Sequence, residues 1–222
     1  VKFFVVLLAA GQGSRFGADI PKTFVSLEGA PLWMAPYKVF RAQSWVSRVV
    51  LTVPPQYLSD SSLVALKQHN DMVIAGGDTR RASVDNALSA IASQLTVEEK
   101  SKSFVLIHDA ARAFVTADIL TRTKDAVVKH SAVTTAIPST DSLVMVDPVT
   151  LRVERSLPRQ KMYRVQTPQA FRFDLIEQAH RTYKGNPTDD ASMVEPLHPI
   201  HVVLGDESNI KVTYRADLST AP

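Results

Sequence analysis

Phe3-Phe4-Val5-Val6-Leu7-Leu8-Ala9-Ala10-Gly11-Gln12-Gly13-Ser14-Arg15 is the stretch that decides the fold. Phe3–Ala9 is an unbroken apolar run rich in β-branched and aromatic residues, and it empties into a glycine-containing loop. Such a run without polar alternation predicts a strand buried on both faces, the habit of a parallel sheet. Similar short runs follow at Val46–Val53, Met72–Ala75, Ser103–His108, Ala132–Pro138 and Ile200–Leu204. Between them, helical spacing marks Trp33–Ala42, Tyr57–His69, Ser83–Leu95, Ala117–His130 and Phe173–Tyr183. The alternation predicts an α/β chain, a mostly parallel sheet flanked by helices, with its ligand site at the carboxyl ends of the strands. One segment departs from the pattern. Ser142–Val146 and Leu151–Ser156 flank the turn-forming Asp147-Pro148, which reads as a projecting β-arm whose unpaired edges need a cover, such as a partner subunit.

Composition sets the outer limits. The 222 residues carry 25 Lys and Arg against 22 Asp and Glu, for a formal charge of +3. That surplus is small, and no basic run exceeds Arg80-Arg81, so a polynucleotide-binding face is not expected. The absence of cysteine excludes disulfides, thiolate metal sites and a cysteine nucleophile, leaving hard cations such as Mg2+ as the default metal. The apolar run at the start is far shorter than the ~20 residues of a membrane span, and a cytoplasmic protein of one domain, residues 1–222, is expected. No Gly-x-Ser-x-Gly elbow and no His-x-x-x-His spacing appears.

Three polar clusters sit at predicted strand ends. Gly11 and Gly13 allow backbone amides to turn toward a phosphate, and Arg15 and Lys22 add two cations to the same connection. Phe16 stands where a dinucleotide fingerprint needs its third glycine, and Phe16 and Pro21 fill the glycine positions of a Walker loop, so neither motif applies. The second cluster, Gly76-Gly77-Asp78-Thr79-Arg80-Arg81-Ala82-Ser83, can approach a base or ribose closely; the plain alternative is a loop with Ser83 capping the next helix. The third is His108-Asp109-Ala110-Ala111-Arg112. Asp109 there can hold hydrated magnesium or a ribose hydroxyl, or else form an ion pair with Arg112. Arg159, Thr188-Asp189-Asp190 and Asn209-Ile210-Lys211 offer further polar reach, with a surface arginine, a Thr cap and an exposed lysine as their plain readings.

Taken in order with Gln166-Thr167-Pro168-Gln169 and Lys211-Val212-Thr213, these motifs resemble the 2-C-methyl-D-erythritol 4-phosphate cytidylyltransferase family over essentially the whole chain. The resemblance implies a Rossmann-like nucleotidyltransferase that dimerises through its β-arm (about 139–160) and transfers CMP from CTP, with magnesium, in non-mevalonate isoprenoid synthesis. It implies transition-state roles for Arg15 and Lys22, and a CTP pocket lined by Ala9, Ala10, Gly11, Gly13, Gly77, Asp78, Ser83, Asp109, Ala110 and Arg112. Asp109 would meet the metal. Ser142, Arg159 from the partner's arm, Thr188 and Lys211 would hold the acceptor phosphate, with Arg159 and Lys211 counted among the catalytic groups. Ribitol-5-phosphate cytidylyltransferases share most of the motifs and stay as the alternative, with a silent nucleotide-binding protein further off. Ala113 replaces a proline usual in the family, and Ser142 a common threonine. Relatives continue past Leu218 into a terminal helix, which implies a trimmed chain or the front half of a fused one.

Overall fold

Strand β1 (Lys2–Leu8) lies in the interior of the sheet, with Val5, Val6 and Leu7 entirely shielded from solvent. The computed structural model describes residues 1–11, 16 and 20–218. Following β1 come a two-residue-per-strand hairpin, β2 (Ser26–Leu27) and β3 (Ala30–Pro31), helix α1 (Met34–Arg41) and β4 (Val46–Val53). Then α2 (Val64–Gln68), β5 (Met72–Ala75), α3 (Arg80–Ala92), α4 (Val97–Ser101), β6 (Ser103–Asp109), α5 (Ala117–His130) and β7 (Ala132–Pro138) continue the alternation. The arm is β8 (Val144–Val146) with β9 (Val153–Ser156), and the chain returns through β10 (Tyr163–Arg172), α6 (Phe173–Thr182), α7 (Asp190–Val194) and β11 (His201–Leu204).

Among the described residues, seven strands form the main sheet in the order β11-β7-β10-β6-β1-β4-β5. All pairings are parallel except those of β10, which runs antiparallel to both β6 and β7. The predicted mostly parallel α/β fold is therefore observed, with the arm as a separate two-stranded sheet. β10 was not foreseen as a strand. Pro168 lies inside it and has no N–H to give, and the register with β7 shifts between Val165 and Gln169 to accommodate the break. Helix expectations held for α5 to the residue, whereas predicted Tyr57–His69 is two short 3-10 turns before the five-residue α2.

Alternate residues of β1 feed two cores, as a pleated strand requires. Phe3, Val5 and Leu7 pack with Trp33, Phe40 and Ile119 on the α1/α5 face. Phe4 and Val6 meet Val84, Leu88, Phe173 and Ile176 on the α3/α6 face. Burying side chains of this size contributes roughly 1.5–3 kcal/mol each, which is ample to fix the strand ends where the polar loops begin. The Arg80-Arg81 pair is divided between two tasks. Arg81 donates to the carbonyls of His180, Tyr183 and Gly185 and so closes the carboxyl end of α6.

Candidate active site

The carboxyl ends of β1, β4, β5 and β6 open onto one cavity of about 890 Å³, the size of a small-molecule site. Ala10 and Gly11 leave β1, Lys22 enters from the following connection, Gly77 and Asp78 come from the turn between β5 and α3, and Ser83 from the first turn of α3. Asp109 ends β6 and Lys211 arrives from the segment after β11. Gly13 and Arg15 lie outside the described residues.

The turn after β5 is built by close approach. A Cβ on Gly76 would stand 2.2 Å from the Ala10 Cβ and 2.9 Å from Ser83 Oγ, so only glycine lets the two loops touch. The Ser83 capping alternative does not hold. Thr79 is the N-cap of α3, accepting from the Ala82 amide at 3.0 Å, while Ser83 Oγ accepts from the Gly77 amide at 3.1 Å and donates to Thr79 O at 3.0 Å. Thr188 is likewise not a cap; Asp189 fills that position for α7 in a capping box with Ser192.

The ion pairs of Asp109 are with Arg80 and Lys211 and not with Arg112. Arg80 Nε approaches Oδ1 at 3.2 Å and Lys211 Nζ approaches Oδ2 at 2.6 Å. Burial pushes the carboxyl up, but these two cations outweigh it and hold Asp109 well below the usual carboxylate range. Burial also weighs against the Arg80 charge, and Asp190 and Asp109 more than restore it. Arg112 instead donates to the carbonyls of Asn209 (2.7 Å) and Val165 (3.2 Å). That contact, with the Val212 amide donating to Ala111 O at 2.8 Å, ties the Lys211 segment across the end of β6.

Lys22 Nζ donates to the Val212 carbonyl at 2.9 Å, one residue along from Lys211, and adds a third cation to the cavity lining. Thr23 beside it donates to Ala9 O at 2.8 Å, so the loop is fastened to the end of β1. Ala9 and Ala110 are buried behind the wall, and with Arg112 they shape the cavity without lining it. Ser142 and Arg159 lie on the exposed arm, where Arg159 donates to Thr140 O at 3.3 Å, and neither they nor Thr188 line the cavity. Two features of the site were not read from the sequence. One is Arg80 on the cavity wall; the other is the rim formed by Pro54, Pro55, Gln56 and Tyr57 at the end of β4. Thr79 at the N-cap, which sets Arg80 as the first helical residue, was the available signal for the former.

The mostly parallel sheet, with glycine turns, Asp109 and several cations at its strand ends, has the fold of a Rossmann-like nucleotidyltransferase. The chain belongs to the family described as IspD, 2-C-methyl-D-erythritol 4-phosphate cytidylyltransferase, whose model matches residues 3–222. It is 37% identical to the 2-C-methyl-D-erythritol 4-phosphate cytidylyltransferase of Geobacillus thermodenitrificans, over 98% of this chain and 94% of the relative. The enzyme of the same description from Thermotoga neapolitana is 36% identical, with 97% and 93% covered. Among solved structures, the 4-diphosphocytidyl-2C-methyl-D-erythritol synthase of Anaerococcus prevotii superposes with a TM-score of 0.82 at 25% identity, covering 99% of this chain and 96% of that one.

Proposed function

We propose that the chain transfers CMP from CTP to 2-C-methyl-D-erythritol 4-phosphate, releasing pyrophosphate and giving 4-diphosphocytidyl-2-C-methyl-D-erythritol. The observation that carries the reading is the meeting of Lys22, Lys211, Arg80 and the ionised Asp109 at one cavity beside a glycine turn. The acceptor's phosphate is already an anionic nucleophile, so no general base is required. Its oxygen forms the new bond to the α-phosphorus while the bond to the β-phosphate bridging oxygen breaks, and pyrophosphate carries away the electron pair. What the protein supplies is alignment and neutralisation of two polyanions. Lys22 serves the nucleotide phosphates and Lys211 the acceptor phosphate, with Arg15 assigned beside Lys22 on the family pattern.

Magnesium belongs to this proposal. Among the described residues no three His, Asp or Glu side chains gather to hold an ion on protein alone. Asp109 fits the other arrangement, in which one hard, ionised carboxylate at the cavity edge shares the ion with substrate phosphates and water. The ion, when bound, adds charge neutralisation at the phosphates.

A homodimer is proposed from the arm. Leu143–Val146, Val149, Leu151 and Val153 are apolar and between 38% and 88% exposed, although an isolated two-stranded hairpin is marginal in water. A second copy would cover them and carry Arg159 toward a neighbouring site. A concentration-independent monomer mass in solution counts against this. Of location, the described residues show only that no helix is long and apolar enough to cross a membrane; a cytoplasmic enzyme is the proposal.

The direct test is magnesium-dependent pyrophosphate release from CTP with methylerythritol 4-phosphate or ribitol 5-phosphate as acceptor. A clear preference for the first is expected. Preference for ribitol 5-phosphate, or CTP binding without turnover, overturns the reading.

A further inference from the structure

Arg80 reaches the cavity wall, yet its guanidinium is spent on two carboxylates. Nε lies 3.2 Å from Asp109 Oδ1, and Nη1 lies 2.7 Å from Asp190 Oδ2. Asp190 is fully buried and does not line the cavity. It is fixed from behind. The Gln169 side chain accepts from the Ala191 amide at 3.1 Å and donates to Asp189 Oδ2 at 2.8 Å, while His180 Nε2 stands 3.3 Å from Asp190 Oδ1 and its Nδ1 meets Asp85.

A buried carboxylate destabilises a fold unless it is paired, and hydrophobic residues would pack the same volume at lower cost. Here the pairing has a geometric effect at the cavity. The guanidinium is a rigid plane, so the ion pair that holds Nη1 at Asp190 also restricts where Nε can be. Nε in turn fixes Asp109 Oδ1, and Lys211 takes Oδ2. We infer that Arg80 is a positioning residue: anchored by Asp190, it sets the attitude in which the Asp109 carboxylate meets the nucleotide. This rests on the nucleotide reading of the cavity. A lysine at 80 would carry the charge without the fork and could not span both carboxylates.

The test is CTP affinity, measured by calorimetry with magnesium and without acceptor, on the full chain. The variants are Arg80→Lys, Asp190→Asn, Asp109→Asn and the double Arg80→Lys/Asp109→Asn, each checked for a native circular dichroism spectrum. Arg80→Lys should weaken CTP about tenfold in the parent but less than about twofold once Asp109→Asn is present, the signature of action through Asp109. Asp190→Asn, which replaces no residue of the cavity wall, should weaken CTP in the same direction and raise the KM for CTP more than it lowers kcat. It also keeps the question answerable if Arg80→Lys fails to fold. An equal loss in both backgrounds means that Arg80 touches the nucleotide itself, and unchanged affinity in folded Arg80→Lys and Asp190→Asn means a structural pair only; either overturns the inference. A parent chain that binds no CTP overturns the nucleotide reading as well.

Discussion

Asp109 and Lys211 are separated by 102 positions in the chain, and their side chains meet at 2.6 Å. The lysine comes from a segment with no regular structure around it, held by backbone and side-chain bonds instead. Asn209 donates to Thr167 O at 2.9 Å, and the Asp217 carboxylate accepts from the Thr213 and Tyr214 amides. Lys211→Ala should lower kcat/KM for the acceptor by a factor on the order of 10² to 10³, as for a lost transition-state donor. Asp109 keeps Arg80 as a partner, so the variant should remain folded. Steady-state kinetics with varied acceptor is the check, and an unchanged value removes Lys211 from the site.

Lys22 is presented by a loop that Thr23 fastens to Ala9, with Pro21 restricting the backbone before it. Lys22→Ala should cost on the order of 3–4 kcal/mol of transition-state stabilisation, seen in kcat at saturating substrates, with little change in melting temperature. The same loss is expected for Arg15→Ala. Near-normal kcat in either would sink the assigned roles.

Gly76→Ala should damage the site through packing alone. The added methyl meets the Ala10 Cβ, which belongs to the opposite loop and is not the end of a flexible side chain. Overpacking of this sort costs about 1–3 kcal/mol. Urea unfolding should show that loss, together with weakened CTP binding. A variant as stable and as tight as the parent would mean that the two loops are not in contact.

His108 should make stability depend on pH. It is fully buried between Phe40 and Thr167 in the middle of β10, and burial pushes its pKa down to about 4 from 6.5. The neutral ring is satisfied at both nitrogens, by Thr167 Oγ1 and by Arg112 O, each at 3.0 Å. Because the unfolded chain takes up the proton first, this contribution is complete above about pH 6.5 and is lost as pH falls toward 4. At 1.36 kcal/mol per unit, the difference amounts to about 3 kcal/mol. Denaturant titrations between pH 4 and 7 should show this slope in the parent and lack it in His108→Gln. An equal slope in both assigns it elsewhere.

Most of the sheet was legible because burial writes itself as short runs dominated by apolar and β-branched residues, as in Val46–Val53 and Ala132–Pro138, whose ends agree to the residue. β10 was hidden by Pro168 and by the polar residues that it buries, Gln166, Thr167 and Gln169, which make side-chain bonds that no hydropathy pattern encodes. In the site, glycines and cations at strand ends could be read, since close approach and charge are properties of residue type. Which cation pairs with which carboxylate could not. Asp109 finds Lys211, and Arg112 turns to Asn209, because the segment after β11 folds back across β6, while Arg80 reaches Asp109 from the start of α3.

That fold-back also bears on the order in which the molecule forms. The walls from β1, β4 and β5 lie within the first 83 residues and close short parallel crossovers. Lys211 closes a loop of about a hundred residues onto Asp109, and contacts of such separation carry the larger entropic cost and tend to form late. On the ribosome, the glycine turns after β1 and β5 therefore emerge long before the lysine that pairs with Asp109, and the cavity is complete only once nearly the whole chain has been made.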